Sequence, residues 1–244
     1  ASADLDVAPS AILWGATANT GQSCMSIERV YVERPVADRF VELLVAKAQR
    51  VTLAVSGQPD GDLGPFIDPR QVEVVRHHLE DAVRKGARIR CGGEIEVHDG
   101  RSYLRPTVLT EVDHSMLVMT EETFGPIIPV MAVADLGEAV ALANDTEYGL
   151  SAAVFAEPEE ARRVAARIHA GGISINDVCL TGLVPEGEKQ AFRSSGLGPS
   201  RMGPASLRRF LRQRVLLERQ QPRIQPWWYD SGRDDHKYSF SYAQ

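Results

Sequence analysis

The residue best suited to chemistry in this sequence is Cys24, in the run Asn19-Thr20-Gly21-Gln22-Ser23-Cys24-Met25-Ser26. A helical apolar pattern ends just before it, Gly21 breaks the chain, and the thiol follows in small and polar company. Gly21 permits a sharp turn and lets another group approach closely. A thiol at such a turn can face a substrate, while its own backbone N–H faces a developing oxyanion. A free thiol titrates at about 8.5, so it needs a local field to become a good nucleophile. On the residues alone, a buried and inert cysteine is the favoured reading, and Cys91 and Cys179 stay with it.

A second cluster is Glu121-Glu122-Thr123-Phe124-Gly125-Pro126. Two acids precede an aromatic and a Gly-Pro turn that feeds an apolar run. A carboxylate at a strand entrance can accept hydrogen bonds from two neighbouring sugar hydroxyls. Phe124, two residues beyond Glu122, points to the same side of an extended chain and can pack on a flat ring. Taken alone, the cluster reads better as a solvated acidic turn. Gly171-Gly172-Ile173-Ser174-Ile175-Asn176 is a Gly turn entering a strand. Ser195-Gly196-Leu197-Gly198, followed by Gly203, departs from GxGxxG spacing and reads as a structural loop. The six histidines show no HExxH or other ligand spacing, and His77 and His78 sit together on a polar helix, so no metal is expected.

The chain around these residues is ordinary for a folded protein. With 244 residues, 43% of them hydrophobic and 25% charged, it has room for one large domain or two small ones. A net charge of -6 gives no reason to expect nucleic acid or an anionic membrane as partner. No apolar run reaches the roughly 18 residues of a spanning helix. The start, Ala1-Ser2-Ala3-Asp4-Leu5-Asp6, is acidic and unlike a secretory signal. Three scattered cysteines make a poor disulfide framework, so a reducing compartment is expected, the cytoplasm by default.

Periodicity predicts helices at Asp4 to Ala18, Pro35 to Ala48, Gln71 to Lys85, Leu136 to Asn144, Glu159 to His169 and Ser206 to Arg212. Extended segments are expected at Arg29 to Val32, Arg88 to Arg90, Val108-Leu109, Ile127 to Val133, Ser151 to Phe155, Ile173 to Ile175 and Val215 to Leu217. Ser56 to Pro69 is a Gly-, Pro- and Asp-rich loop. The alternation predicts an α/β fold, a mostly parallel twisted sheet flanked by helices on both faces. From Gln221 onward the composition changes, with Trp227, Trp228, Tyr229, Tyr238, Phe240 and Tyr242 among polar residues. Such a tail is either disordered or packed on something, another subunit being one candidate.

In order along the chain, these elements resemble the aldehyde dehydrogenase family, from about Ala3 to Arg219. The anchors are Ala3-Asp4-Leu5-Asp6, Gly21-Gln22-Ser23-Cys24, Gly64-Pro65, Arg105-Pro106-Thr107, Glu121 to Pro126, Asn144 with Tyr148-Gly149-Leu150, Gly172 to Asn176, and Ser195 to Gly198. No one anchor decides the match, but their order is highly specific and reverses the inert reading of Cys24.

The resemblance implies that Cys24 is the nucleophile of an NAD- or NADP-dependent oxidation of an aldehyde to a carboxylic acid, through a thiohemiacetal and a thioester. It implies that the Cys24 N–H forms half of an oxyanion hole. It places Glu122 on the nicotinamide ribose with Phe124 beside it, and Ser23, Met25 and the loop at Asn176 around the substrate. It implies a homo-oligomer, dimer or tetramer, with Val215 to Leu217 adding to a partner's sheet, hence a catalytic domain over 1–213 and an oligomerisation strand and aromatic tail over 214–244. It also places the nucleotide-binding domain, the general-base Glu, the oxyanion Asn and a ribose-binding Lys upstream of Ala1. Thr17 and Ala18 stand where the family commonly has aromatics, which implies a wider or reshaped tunnel. Two other readings remain open on the residues: a cofactor-independent thiol hydrolase using Cys24, for which Glu28 is the nearest acid but reads as a strand-edge surface residue, and a non-catalytic assembly module.

Overall fold

The computed structural model describes all residues except 58–59, 185, 199–202, 204, 209, 219 and 221–244. The aromatic tail from Gln221 therefore lies outside the described residues. The chain divides into two compact units, Ala1–Ser206 and Leu207–Gln244.

In the first unit, helix α1 (Ala8–Thr17) leads through a tight turn to strand β1 (Val30–Glu33) and helix α2 (Arg34–Ala48). Helix α3 (Pro69–Arg84) is followed by β2 (Arg88–Cys91), the hairpin β3 (Ile95–His98) and β4 (Arg101–Leu104), and β5 (Thr107–Thr110). The short α4 (Leu117–Thr120) precedes β6 (Ile127–Val133), and α5 (Leu136–Asn144), β7 (Ser151–Val154), α6 (Pro158–Ala165), β8 (Gly172–Ile175) and the short α7 (Leu180–Leu183) follow.

Four strands form a sheet in the order β1-β6-β5-β2; β1 and β5 run parallel to β6, and β2 runs antiparallel to β5. Strands β7 and β8 form a separate parallel pair. Alternate side chains on a strand point to opposite faces, so apolar runs such as Ile127-Ile128 serve two cores. Ile127 and Leu109 pack with Val75, Leu79 and Met119 on the α3 face. Ile128 and Val108 pack with Ile12, Phe40 and Leu44 on the α1 and α2 face. The predicted α/β class and its helix-covered, mostly parallel sheet are found.

Three expectations are corrected. Helix α1 starts at Ala8, because residues 5 to 7 form a turn in which Asp4 Oδ1 accepts from the Asp6 N–H at 2.8 Å. The hairpin β3–β4 went unpredicted, although Asp99-Gly100 joins it with φ of 50° and 73°, the paired positive values of a type I′ turn. Val215 to Leu217 carry no strand among the described residues and are exposed by 72%, 87% and 89%. A β-strand exists through ladder hydrogen bonds, and these residues have no ladder partner within the described chain.

The segment before β1 is lashed to α5. The Arg29 guanidinium donates to the carbonyl oxygens of Leu142 at 3.4 Å and Ala143 at 3.1 Å, where a helix C-terminus attracts a cation. The opposite end of α5 is closed by a reciprocal cap, in which Asp135 accepts from the Glu138 N–H and Glu138 from the Ala134 N–H.

Candidate active site

Cys24 sits in the middle of a turn closed by the Ser26 N–H donating to the Ser23 carbonyl at 2.9 Å, and its thiol is exposed. The Cys24 N–H donates to none of the described residues. The approach to this turn is unusual. Asn19, Thr20 and Gly21 have φ of 55°, 60° and 69°, a left-handed run that a β-branched threonine adopts only at a cost. It is held by long-range bonds: Thr20 Oγ1 donates to the Gly64 carbonyl at 3.2 Å, and Gln22 Oε1 accepts from the Ile67 N–H at 2.8 Å.

Gly21 explains how two distant segments meet. A Cβ built on it would lie 2.4 Å from the carbonyl carbon and oxygen of Gly125, so the nucleophile turn rests directly on the backbone of the acidic cluster. The cluster is clamped through Thr123. Gln71 Nε2 donates to its carbonyl at 2.8 Å, His78 Nδ1 lies 3.1 Å from its hydroxyl, and Glu28 accepts its N–H at 2.9 Å. The two adjacent acids are thereby separated. Glu121 lies 3.6 Å from His78 Nε2, whereas the exposed Glu122 carboxylate has no hydrogen bond or ion pair among the described residues. Phe124, half-buried, is held at φ 52°.

Cys24 and Glu122 line one groove of 490 Å³, together with Glu28, Tyr148 and Ser195. Its long sides are β1 and β7, edge strands with no partner on that side among the described residues, and Ile12, Phe40 and Val140 supply apolar wall. Among the described residues no cluster of His, Cys, Asp and Glu can hold a metal ion, and no helix is long and apolar enough to cross a membrane.

The comparisons with known proteins agree on one lineage. The model of the aldehyde dehydrogenase family matches residues 1–216. This chain belongs to the aldehyde dehydrogenase family. A 4,4'-diapolycopene aldehyde oxidase of Methylomonas is 41% identical over 179 residues, covering 73% of this chain and 33% of that protein. A Mycobacterium ulcerans protein described as a succinate-semialdehyde dehydrogenase [NADP(+)] 2 is 39% identical over 175 residues, covering 71% and 34%. The solved structure of an Anabaena variabilis protein described as the aldehyde dehydrogenase PutA superposes with a TM-score of 0.88 at 55% identity, covering 94% of this chain and 49% of that one. The chain thus spans about a third of the length of these curated relatives and about half of that solved chain.

Within this aldehyde dehydrogenase chain, the sequence-derived site residues separate into two groups. Cys24 and Glu122 share the groove. Ser23, Met25, Phe124 and Asn176 lie outside its lining. The Ser23 hydroxyl accepts from the Met25 N–H at 3.4 Å, and the Met25 sulfur lies 3.1 Å from Lys189 Nζ. The Asn176 amide bridges the Ala156 N–H and carbonyl at 3.0 and 2.9 Å, tying the end of β8 to the chain leaving β7. Thr17 is buried and its hydroxyl donates back to Leu13 at 2.8 Å.

Glu28 overturns its reading as a surface residue. It turns into the groove and accepts two backbone N–H bonds, and burial pushes its carboxyl up to about 7. His78, read as part of a polar helix face, is buried, and burial lowers its pKa.

Proposed function

We propose that the protein carrying this chain oxidises an aldehyde to a carboxylic acid with NAD or NADP, with Cys24 as nucleophile. The observation that carries this reading is the meeting on one groove of an exposed thiol with a carboxylate that has no partner among the described residues, beside a Cys24 N–H that donates to none of them, in an aldehyde dehydrogenase chain. The Cys24 sulfur attacks the carbonyl carbon, and the oxygen that gathers charge is met by the Cys24 N–H. The turn from Asn19 to Gly21 keeps that N–H unspent. Glu122 would accept from ribose hydroxyls, with Phe124, two residues on, beside the ring. The groove suits such a ligand on its own chemistry, since a free acceptor carboxylate stands at its rim beside apolar wall. A bound dinucleotide would supply the hydride acceptor for this oxidation, and Cys24 would carry the acyl group as a thioester until water releases the acid. Ser23, Met25 and the Asn176 loop border the aldehyde's approach. Assembly as a dimer or tetramer proceeds through the segment at Val215 to Leu217.

The test is formation of reduced cofactor from an aldehyde panel by the natural protein that carries this chain. Activity that falls on the order of 10³-fold or more in Cys24→Ala, with covalent labelling of Cys24 by an aldehyde in a quenched reaction, supports the reading. A natural protein inactive on every aldehyde, or one indifferent to Cys24→Ala, defeats it.

A further inference from the structure

We propose that Glu28 is a positioning residue, whose two carboxylate oxygens hold the Thr123–Phe124 backbone so that Glu122 is presented to the cofactor. Oε2 accepts from the Thr123 N–H and Oε1 from the Phe124 N–H, each at 2.9 Å. The inference rests on the dehydrogenase reading, in which Glu122 meets the ribose.

The geometry asks for a carboxylate in particular. Two successive N–H groups point at one side chain, and a carboxyl offers an acceptor oxygen to each of them. A glutamine accepts one bond and aims an NH₂ at the second N–H. An aspartate keeps both oxygens but is one methylene shorter. The turn needs outside restraint, because Phe124 sits at φ 52°, where a bulky side chain is strained. Gln71 and His78 hold the Thr123 carbonyl and hydroxyl from α3, but neither touches Phe124 N–H. Glu28 alone among the described residues bonds the N–H groups on both sides of the Thr123–Phe124 peptide link. Burying a carboxylate beside Glu122 is unfavourable in itself, and burial is the largest cause of its raised pKa. A side chain kept there against that cost, inside the groove that Cys24 and Glu122 line, acts on how Glu122 is displayed.

The experiment uses the natural protein with Glu28→Gln, Glu28→Asp and, as a control for plain loss of stability, Leu44→Ala in the opposite core. Cofactor binding is titrated directly with NAD and NADP, and KM is measured for cofactor and aldehyde separately. Glu28→Gln is expected to weaken cofactor binding and raise cofactor KM by about tenfold, while aldehyde KM changes less than about twofold. Glu28→Asp should recover part of the loss. Cofactor and aldehyde constants that move together as in Leu44→Ala, or that stay unmoved in both Glu28 variants, overturn the inference alone. A wild-type protein that neither binds nor reduces either cofactor overturns the dehydrogenase reading and this inference with it.

Discussion

At the scale of single residues, the site depends on which of two similar groups is left unspent. Glu121 and Glu122 are neighbours in sequence and both line the groove, yet the first stands beside His78 and the second has no partner among the described residues. Cys24 and Glu122 were singled out because they stand in runs that resemble family motifs. Glu28 was not, because its partners lie 95 and 96 residues away and a glutamate before a strand looks like surface. Its raised carboxyl makes a prediction about stability. Burial is the main cause, Glu122 adds to it, and the Phe124 and Thr123 N–H groups and Arg29 oppose it. The folded pKa, about 7, lies above the ordinary value of 4.5. The unfolded chain then ionises first, so the associated stability is complete below the ordinary value and is lost as pH rises through about 7. Relative to Glu28→Gln, wild type should lose on the order of 3 kcal/mol between about pH 4.5 and about pH 7.5. Urea unfolding of both proteins across that range measures it; a difference independent of pH would refute the assignment.

At the scale of elements, most of the fold was legible because long periodic segments announce themselves. Helix α5 was predicted at its observed limits, and β6 as well. The hairpin β3–β4 was missed although Ile95-Glu96-Val97-His98 alternates apolar and polar residues and Asp99-Gly100 carried the turn signal; four residues are a short stretch for such an alternation. What no periodicity conveys is the contact between the nucleophile turn and the acidic cluster, since it is backbone against backbone. Gly21→Ala tests that contact. Its Cβ would meet Gly125 at 2.4 Å from a residue already at φ 69°, and both problems must be relieved by moving the turns apart. A loss of at least about 2 kcal/mol is expected in urea unfolding. Turnover should fall further than the folded fraction does, since Cys24 and Glu122 no longer share one geometry. A variant with wild-type turnover would show that the close approach is incidental.

At the scale of the whole molecule, two kinds of unsatisfied surface could carry the proposed assembly. One is the pair of edges, β1 and β7, facing each other across the groove. Open edges invite another strand, but these two line the groove where the cofactor and substrate are proposed to enter. The other is the run Phe210 to Leu217, where Phe210, Leu211, Val215, Leu216 and Leu217 are each at least 70% exposed. Exposed apolar residues in a segment without a ladder gain most by joining a second chain's sheet, where main-chain bonds give affinity and alternate side chains are buried. Assembly should therefore depend on that run. Light scattering of the natural protein with and without residues 214–244 is expected to show a dimer or tetramer becoming a monomer. Leu216→Lys should weaken association with little change in unfolding midpoint, because that side chain is exposed in the single chain. An oligomer that survives both changes would move the contact to β1 and β7 or elsewhere on the first unit, and the groove would then be an interface as well as a site.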